Sequence, residues 1–196
     1  MLKGGFAPLL LKIVSMNRKF PGMRTAIAYW LIPTEPARGF FGKVIADLAW
    51  KYDGPVFEPH LTVYVGSDQA EVAEEIFSRG AIDCEPIQLK AIDVSYSNEF
   101  TKTLFVRFTS NAKLEQLSEI IRQASEAPRY YQLEPHLSLL YKKIPMLARR
   151  ELTSSIKLPF SMVIFDSIKA VRCALPTSNR AHVEAWRILA TKPLSE

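Results

Sequence analysis

Three histidines, two cysteines and eight glycines are all that 196 residues contain of these types, and no apolar stretch is long enough to cross a bilayer. Each shortage removes a class of chemistry. Cys84 and Cys173 stand alone without a C-x-x-C pair, which excludes thiolate zinc clusters and dithiol redox motifs. They read as buried thiols, with one long-range disulfide as the alternative. Gly39-Phe40-Phe41-Gly42 lacks the Lys-Ser/Thr end of a phosphate-binding loop, and no His-Glu-x-x-His set is present. Acidic residues are missing from the first 24 positions, which hold Lys3, Lys12, Arg18, Lys19 and Arg24. Those cations account for the whole formal net charge of +5, so the rest of the chain is balanced. A balanced body argues against a long nucleic-acid footprint, which needs many cations along a backbone. Residues 1–22 therefore read as a basic, disordered leader, and 23–196 as one bilobal domain. The leader's short apolar run, Phe6 to Leu11, is broken by Lys12 and followed by no small-residue cleavage site, so it does not read as a signal peptide. A cytoplasmic monomer with no membrane contact is expected.

What is present is a core-forming sequence, 48% hydrophobic, whose periodicity switches along the chain. Arg24 to Ile32 reads as a strand stopped by Pro33. Phe40, Phe41, Val44, Ile45 and Leu48 mark a helix ending near Asp53-Gly54-Pro55. Phe57 to Val65 reads as a strand, and Asp68 with Glu71 as a capping box opening a helix that runs to Gly80. Ile87 to Tyr96 and Thr103 to Phe108 form a predicted hairpin; Ser110 or Asn111 caps a helix stopped by Pro128. A strand at Leu137 to Tyr141, a helix opened by Pro145, and strands at Phe160 to Phe165, Ile168 to Ala174 and Val183 to Ala190 complete the pass. Hairpins mixed with single helices predict an α+β fold.

One hexapeptide occurs twice. Glu58-Pro59-His60-Leu61-Thr62-Val63 and Glu134-Pro135-His136-Leu137-Ser138-Leu139 lie 76 residues apart and hold two of the three histidines. Each copy sits at a predicted strand. Such self-similarity predicts two related lobes that offer the same strand to a shared centre. In a strand, residues i and i+2 share a face, so His60 pairs with Thr62 and His136 with Ser138, while the leucines point back into the core. Two facing sites of this kind bring two imidazoles and two hydroxyls around one pocket. One imidazole can take a proton from water while the other gives one to a leaving oxygen, and the hydroxyls can hydrogen-bond a phosphate between them. No cofactor is needed.

These paired His-x-Thr/Ser motifs resemble those of the two-histidine (2H) phosphoesterases, and the flanks are similar to the plant and yeast cyclic phosphodiesterase branch. Trp30-Leu31-Ile32-Pro33, Gly54 to Val63, Thr103-Leu104-Phe105-Val106, Pro135 to Tyr141 and the tail around Ala170 to Cys173 and Glu184 to Trp186 carry the likeness. It implies two pseudo-symmetric antiparallel sheets with outer helices and a central cleft. It also implies hydrolysis of nucleoside 2′,3′-cyclic phosphates or ADP-ribose 1″,2″-cyclic phosphate, within RNA metabolism. His60 and His136 are then catalytic, Thr62 and Ser138 phosphate-binding, and Tyr141, Trp30 and Phe100 substrate-binding. The partner is a small cyclic-phosphate nucleotide, with RNA ends as an extension. A 2′,5′-phosphodiesterase or RNA-end-processing enzyme of the same fold, or a nucleotide- or RNA-binding module without turnover, are the alternative readings. Glu58 and Glu134 depart from the family pattern, which has apolar residues there.

Other readings compete for the same residues. Glu58 with His60 and Glu134 with His136 share strand faces and suggest a zinc site, against which each His is preceded by a proline that breaks regular extension. Tyr141, Trp30 and Phe100 also fit as packing aromatics. His182 reads as a solvated loop residue. Lys142, Lys143, Arg149 and Arg150 read as the solvated face of a helix, with the two lysines close enough to the second motif to attract an anion.

Overall fold

The computed structural model describes residues 24–78, 84–125 and 131–194. The basic leader and the expected helix stops at Gly80 and Pro128 lie outside the described residues. In chain order the elements are β1 (Thr25–Pro33), α1 (Ala37–Tyr52), β2 (Leu61–Ser67), α2 (Ala70–Ser78), β3 (Ile87–Tyr96), β4 (Leu104–Phe108), α3 (Ala112–Ala124), β5 (His136–Leu140), α4 (Met146–Ser155), β6 (Met162–Ala174), α5 (Arg180–Glu184) and β7 (Arg187–Pro193). None of the described helices is long and apolar enough to cross a membrane.

Side-chain alternation in β1 explains the architecture. Ile27, Tyr29 and Leu31 enter the main core, whereas Ala26, Ala28, Trp30 and Ile32 enter a second apolar cluster with Val171 and Cys173. A strand buried on both faces needs neighbours on both edges. β1 has them in β2 and β6, both antiparallel. The sheet runs β1-β2-β5-β4-β3-β6-β7, and the additional β1–β6 pairing closes the first six strands into a ring. Equivalent positions make equivalent pairs: β1–β2 matches β4–β5, β1–β6 matches β4–β3, and β2–β5 and β3–β6 each join a strand to its own counterpart. The helices obey the same relation, with α1 packing against β5 and α3 against β2. The fold is therefore α+β, built from two β-α-β-α-β halves with helices outside, as the repeated hexapeptide predicts.

Local chemistry sets the boundaries. α1 buries Phe41, Ile45 and Leu48 along one stripe and ends where Asp53 adopts a left-handed φ of 52°, its N–H closing on Ala49 O. Asn111 caps α3 by accepting from the Leu114 N–H at 2.9 Å. No disulfide joins Cys84 and Cys173.

Five expectations need correction. The strands expected at 160–165 and 168–174 are one, β6, because its first residues pair with β3 while the rest pair with β1 and β7, leaving no break at Asp166-Ser167. The strand expected from Val183 is instead α5 followed by β7, since the Asn179 side chain accepts from the His182 N–H and starts a helical turn. His182 accordingly sits on a helix rather than in a loop. Asp68 opens no capping box; its carboxylate takes the Thr25 hydroxyl and the Arg172 Nε, and α2 starts at Ala70. Arg149 is not solvated: it is 9% exposed, with Nη1 donating to Ser97 O and Asn98 Oδ1.

Candidate active site

The two hexapeptides meet where the halves join. Leu61 of β2 lies opposite Leu137 of β5, and both are fully buried. In an antiparallel pair the flanking residues turn to the other face, so His60 falls opposite Ser138 and Thr62 opposite His136. The imidazoles are thus diagonal neighbours, a relation that spaces backbone positions by about 7–8 Å. Trp30 extends the row from β1, where it pairs with Thr62. Trp30, His60, Thr62, Lys102, His136 and Tyr141 line a cleft of about 370 Å³.

The Glu-Pro-His order positions both rings. Proline holds its own φ and keeps the preceding residue extended. The carbonyl of Glu58 accepts from His60 Nδ1 at 2.7 Å, and that of Glu134 from His136 Nδ1 at 2.6 Å. Both rings therefore carry the hydrogen on Nδ1 and keep Nε2 as a base or, once protonated, a donor. The Tyr141 hydroxyl lies 3.4 Å from His60 Nε2.

The surroundings of the two rings differ. His60 is 5% exposed and stacks on Trp30 at 3.8 Å and 15°, with the Trp186 ring edge-on at 5.8 Å. Burial, reinforced by the neighbouring His136 charge and opposed by the Glu58 carbonyl, pushes its pKa down to about 4. His136 is half-buried, with Phe105 edge-on at 5.5 Å. Burial lowers its pKa too, Lys102 adds to the effect, and the carbonyl and carboxylate of Glu134 oppose it.

The remaining expected residues occupy distinct places. Thr62 lines the cleft. Ser138 is 4% exposed and its hydroxyl donates to Thr101 O at 2.6 Å. Tyr141 is buried in a parallel stack with Phe57 at 4.0 Å, and burial raises its pKa. Phe100 lies on a 3-10 turn, Phe100–Lys102, tilted against Tyr141 at 6.0 Å and outside the cleft lining. The carboxylates of the zinc alternative turn to cations: Glu58 to Arg38 at 2.6 Å and Lys169 at 2.6 Å, Glu134 to Lys102 at 2.8 Å. Each His meets only the carbonyl of its glutamate.

Comparison with known proteins follows the same lines. A family model described as "Cyclic phosphodiesterase-like protein" matches residues 23–192. The chain belongs to this family. The Arabidopsis thaliana protein named "Cyclic phosphodiesterase" is 25% identical over 116 residues, 59% of this chain. The match spans 64% of the length of that relative. E. coli LigT, solved in complex with ATP, is 12% identical with a TM-score of 0.52 over 89% of this chain and 100% of its own. TT0787 of Thermus thermophilus is 16% identical with a TM-score of 0.57 over 86% of this chain and 97% of its own. At these identities the likeness shows the fold alone.

For a cyclic phosphodiesterase-like chain, Lys102, Trp186 and Tyr131 are among the cleft residues that went unread in the sequence. Lys102 reaches the cleft from the 3-10 turn and pairs with Glu134. Trp186 packs edge-on to Trp30 at 4.9 Å, and Tyr131 donates to Thr62 O at 3.4 Å. Only Trp186 carried a signal, through the similar tail segment.

Proposed function

We propose that the chain hydrolyses cyclic phosphodiesters with its two imidazoles and without a metal, opening nucleoside 2′,3′-cyclic phosphates to 2′-phosphates or ADP-ribose 1″,2″-cyclic phosphate to ADP-ribose 1″-phosphate. The observation that carries this reading is the pair of rings on one cleft, each with Nδ1 tied to a backbone carbonyl and Nε2 left for proton transfer. His60, the harder to charge, is the base, and His136 holds the proton of the singly protonated pair. His60 Nε2 takes a proton from water as the water oxygen bonds phosphorus. The bond from phosphorus to the leaving sugar oxygen breaks, and His136 Nε2 protonates that oxygen. Thr62 donates to a phosphate oxygen, and Lys102 offsets the growing negative charge. Trp30 and Tyr141 border the sugar and base.

The test is turnover of both substrates across pH, with and without EDTA. Activity should be unchanged by EDTA, and kcat/KM should be bell-shaped with both limbs below about 6.5, the unperturbed imidazole value. The acid limb, where His60 becomes charged, is expected near pH 4. The alkaline limb, where His136 loses its proton, falls below the ordinary value because its pKa is lowered. EDTA-sensitive turnover sinks the metal-free mechanism, and a plateau through pH 8 sinks the assignment of His136 as acid.

The hydroxyls give a second test. The Thr62 hydroxyl meets no acceptor among the described residues, whereas Ser138 must leave Thr101 O before it can reach a phosphate. Thr62→Val should lower kcat/KM about tenfold or more, the loss of one charge-assisted hydrogen bond. Ser138→Ala should cost less in kcat/KM and more in melting temperature, because it frees the turn. The reverse order would place the phosphate on Ser138.

A further inference from the structure

A second polar cavity, of about 260 Å³, opens behind the turn that borders the cleft. Ser97, Asn98, Thr103, Lys143, Ile144 and Arg149 line it: two cations, three neutral polar residues and no carboxylate. Arg149 comes from α4 and lies over the Tyr96 ring at 5.4 Å. A guanidinium this deeply buried normally has a carboxylate partner, since an uncompensated buried charge is costly. Arg149 has none among the described residues. Its Nη1 group is used by Ser97 O and Asn98 Oδ1, the latter at 2.8 Å. Its Nε is buried without a partner, and the hydrogen bonds the side chain makes to described residues both use Nη1, leaving Nη2 without an acceptor among them. Of the uncommitted edge, Nε is sealed inside and Nη2 is the donor left to meet an oxyanion, with the charge of the whole guanidinium behind it. Lys143 is exposed at the mouth of the same cavity and likewise meets no acceptor among the described residues.

We propose that this cavity is a binding site for a phosphate group, held by the Nη2 end of the Arg149 guanidinium and by Lys143, and separate from the two-histidine cleft. Its ligand is a phosphate-bearing anion. That group comes either from a free anion or from a further phosphate of a longer nucleotide whose cyclic end lies in the cleft. Between the two sites stands the 97–103 segment, whose far side gives Thr101 O to Ser138 and Lys102 to the cleft.

The test follows the Arg149 Nε–H resonance by NMR, identified by its loss in Arg149→Lys, as inorganic phosphate is added to the full chain. It should shift saturably, and Lys143→Ala, which alters an exposed residue, should require about tenfold more phosphate for the same shift. A resonance that stays put while phosphate saturates the histidine rings overturns the proposal. So does an unchanged titration in Lys143→Ala. The two sources separate with nucleotides. A trinucleotide ending in a 2′,3′-cyclic phosphate moves the resonance at lower concentration than inorganic phosphate if the site takes a substrate's next phosphate. If inorganic phosphate alone moves it, the ligand is a free anion. Neither readout needs turnover, so the site stands or falls apart from the catalytic reading.

Discussion

Replacing His60 or His136 by asparagine is expected to reduce kcat on a cyclic nucleotide by about 10²–10⁴, the range for losing one positioned acid or base. The double variant should fall no more than about tenfold below the worse single one, because in the proposed mechanism both groups act on one proton-transfer path and losses within such a unit do not add. The two singles should differ in their side effects. His60 is 5% exposed and stacked on Trp30, so asparagine there removes about 0.5–1.5 kcal/mol of ring packing in addition to the chemistry. His136 is half-buried and, among the described residues, has only the Phe105 ring edge-on. A melting-temperature loss confined to His60→Asn, with both variants inactive, is the expected pattern. Single-turnover rates read the chemistry, and calorimetry reads the packing. Wild-type kcat in either variant removes that histidine from the mechanism. Multiplicative losses in the double variant would show that the rings act independently.

How much of this site could be read before the structure follows from what is local. The period of a strand puts His60 with Thr62 and His136 with Ser138, and a repeated hexapeptide makes the two halves equivalent; neither step needs a distant contact. The ring of strands does. Its closure rests on β1 pairing with β6 across more than half the chain, and β1 shows it only as burial on both faces. The continuity of β6 was hidden for the same reason, since Asp166 and Ser167 look like a break until partners exist on each side.

Side-chain partners were the least legible. Ser138 sends its proton to a carbonyl of the 97–103 segment, and Lys102 enters the cleft from a three-residue 3-10 turn. Turns of that length carry no periodicity to read. Arg149 sits beside Arg150 on α4, and helical spacing alone turned both outward; the tertiary contact with Ser97 and Asn98 decided otherwise. Glu58 and Glu134 were read for a zinc site, and their carboxylates pair instead with Arg38 and Lys169, and with Lys102.

Leu137→Ala is expected to show that the seam and the site are one object. Leu137 and Leu61 are both 0% exposed and form the register pair that joins β2 to β5. Truncation of a buried leucine costs about 2–5 kcal/mol, because the cavity collapses only in part. At roughly 2–4 °C per kcal/mol for a domain of this size, the melting temperature should drop about 4–20 °C. Leu147→Ala, on α4 and 67% exposed, should stay within about 0.5 kcal/mol of wild type. The activity effect has a separate origin. His60 opposite Ser138 and Thr62 opposite His136 flank the leucine pair on the reverse face, so slack in the pair moves both imidazoles. A displacement of about 1 Å at a reacting group can cost about 10²-fold in rate. Leu137→Ala should therefore lose kcat even well below its own melting temperature, with KM changed less. If the variant melts early yet turns over at the wild-type rate while folded, the leucine pair supports the fold alone and the imidazoles are held by their Glu-Pro-His turns.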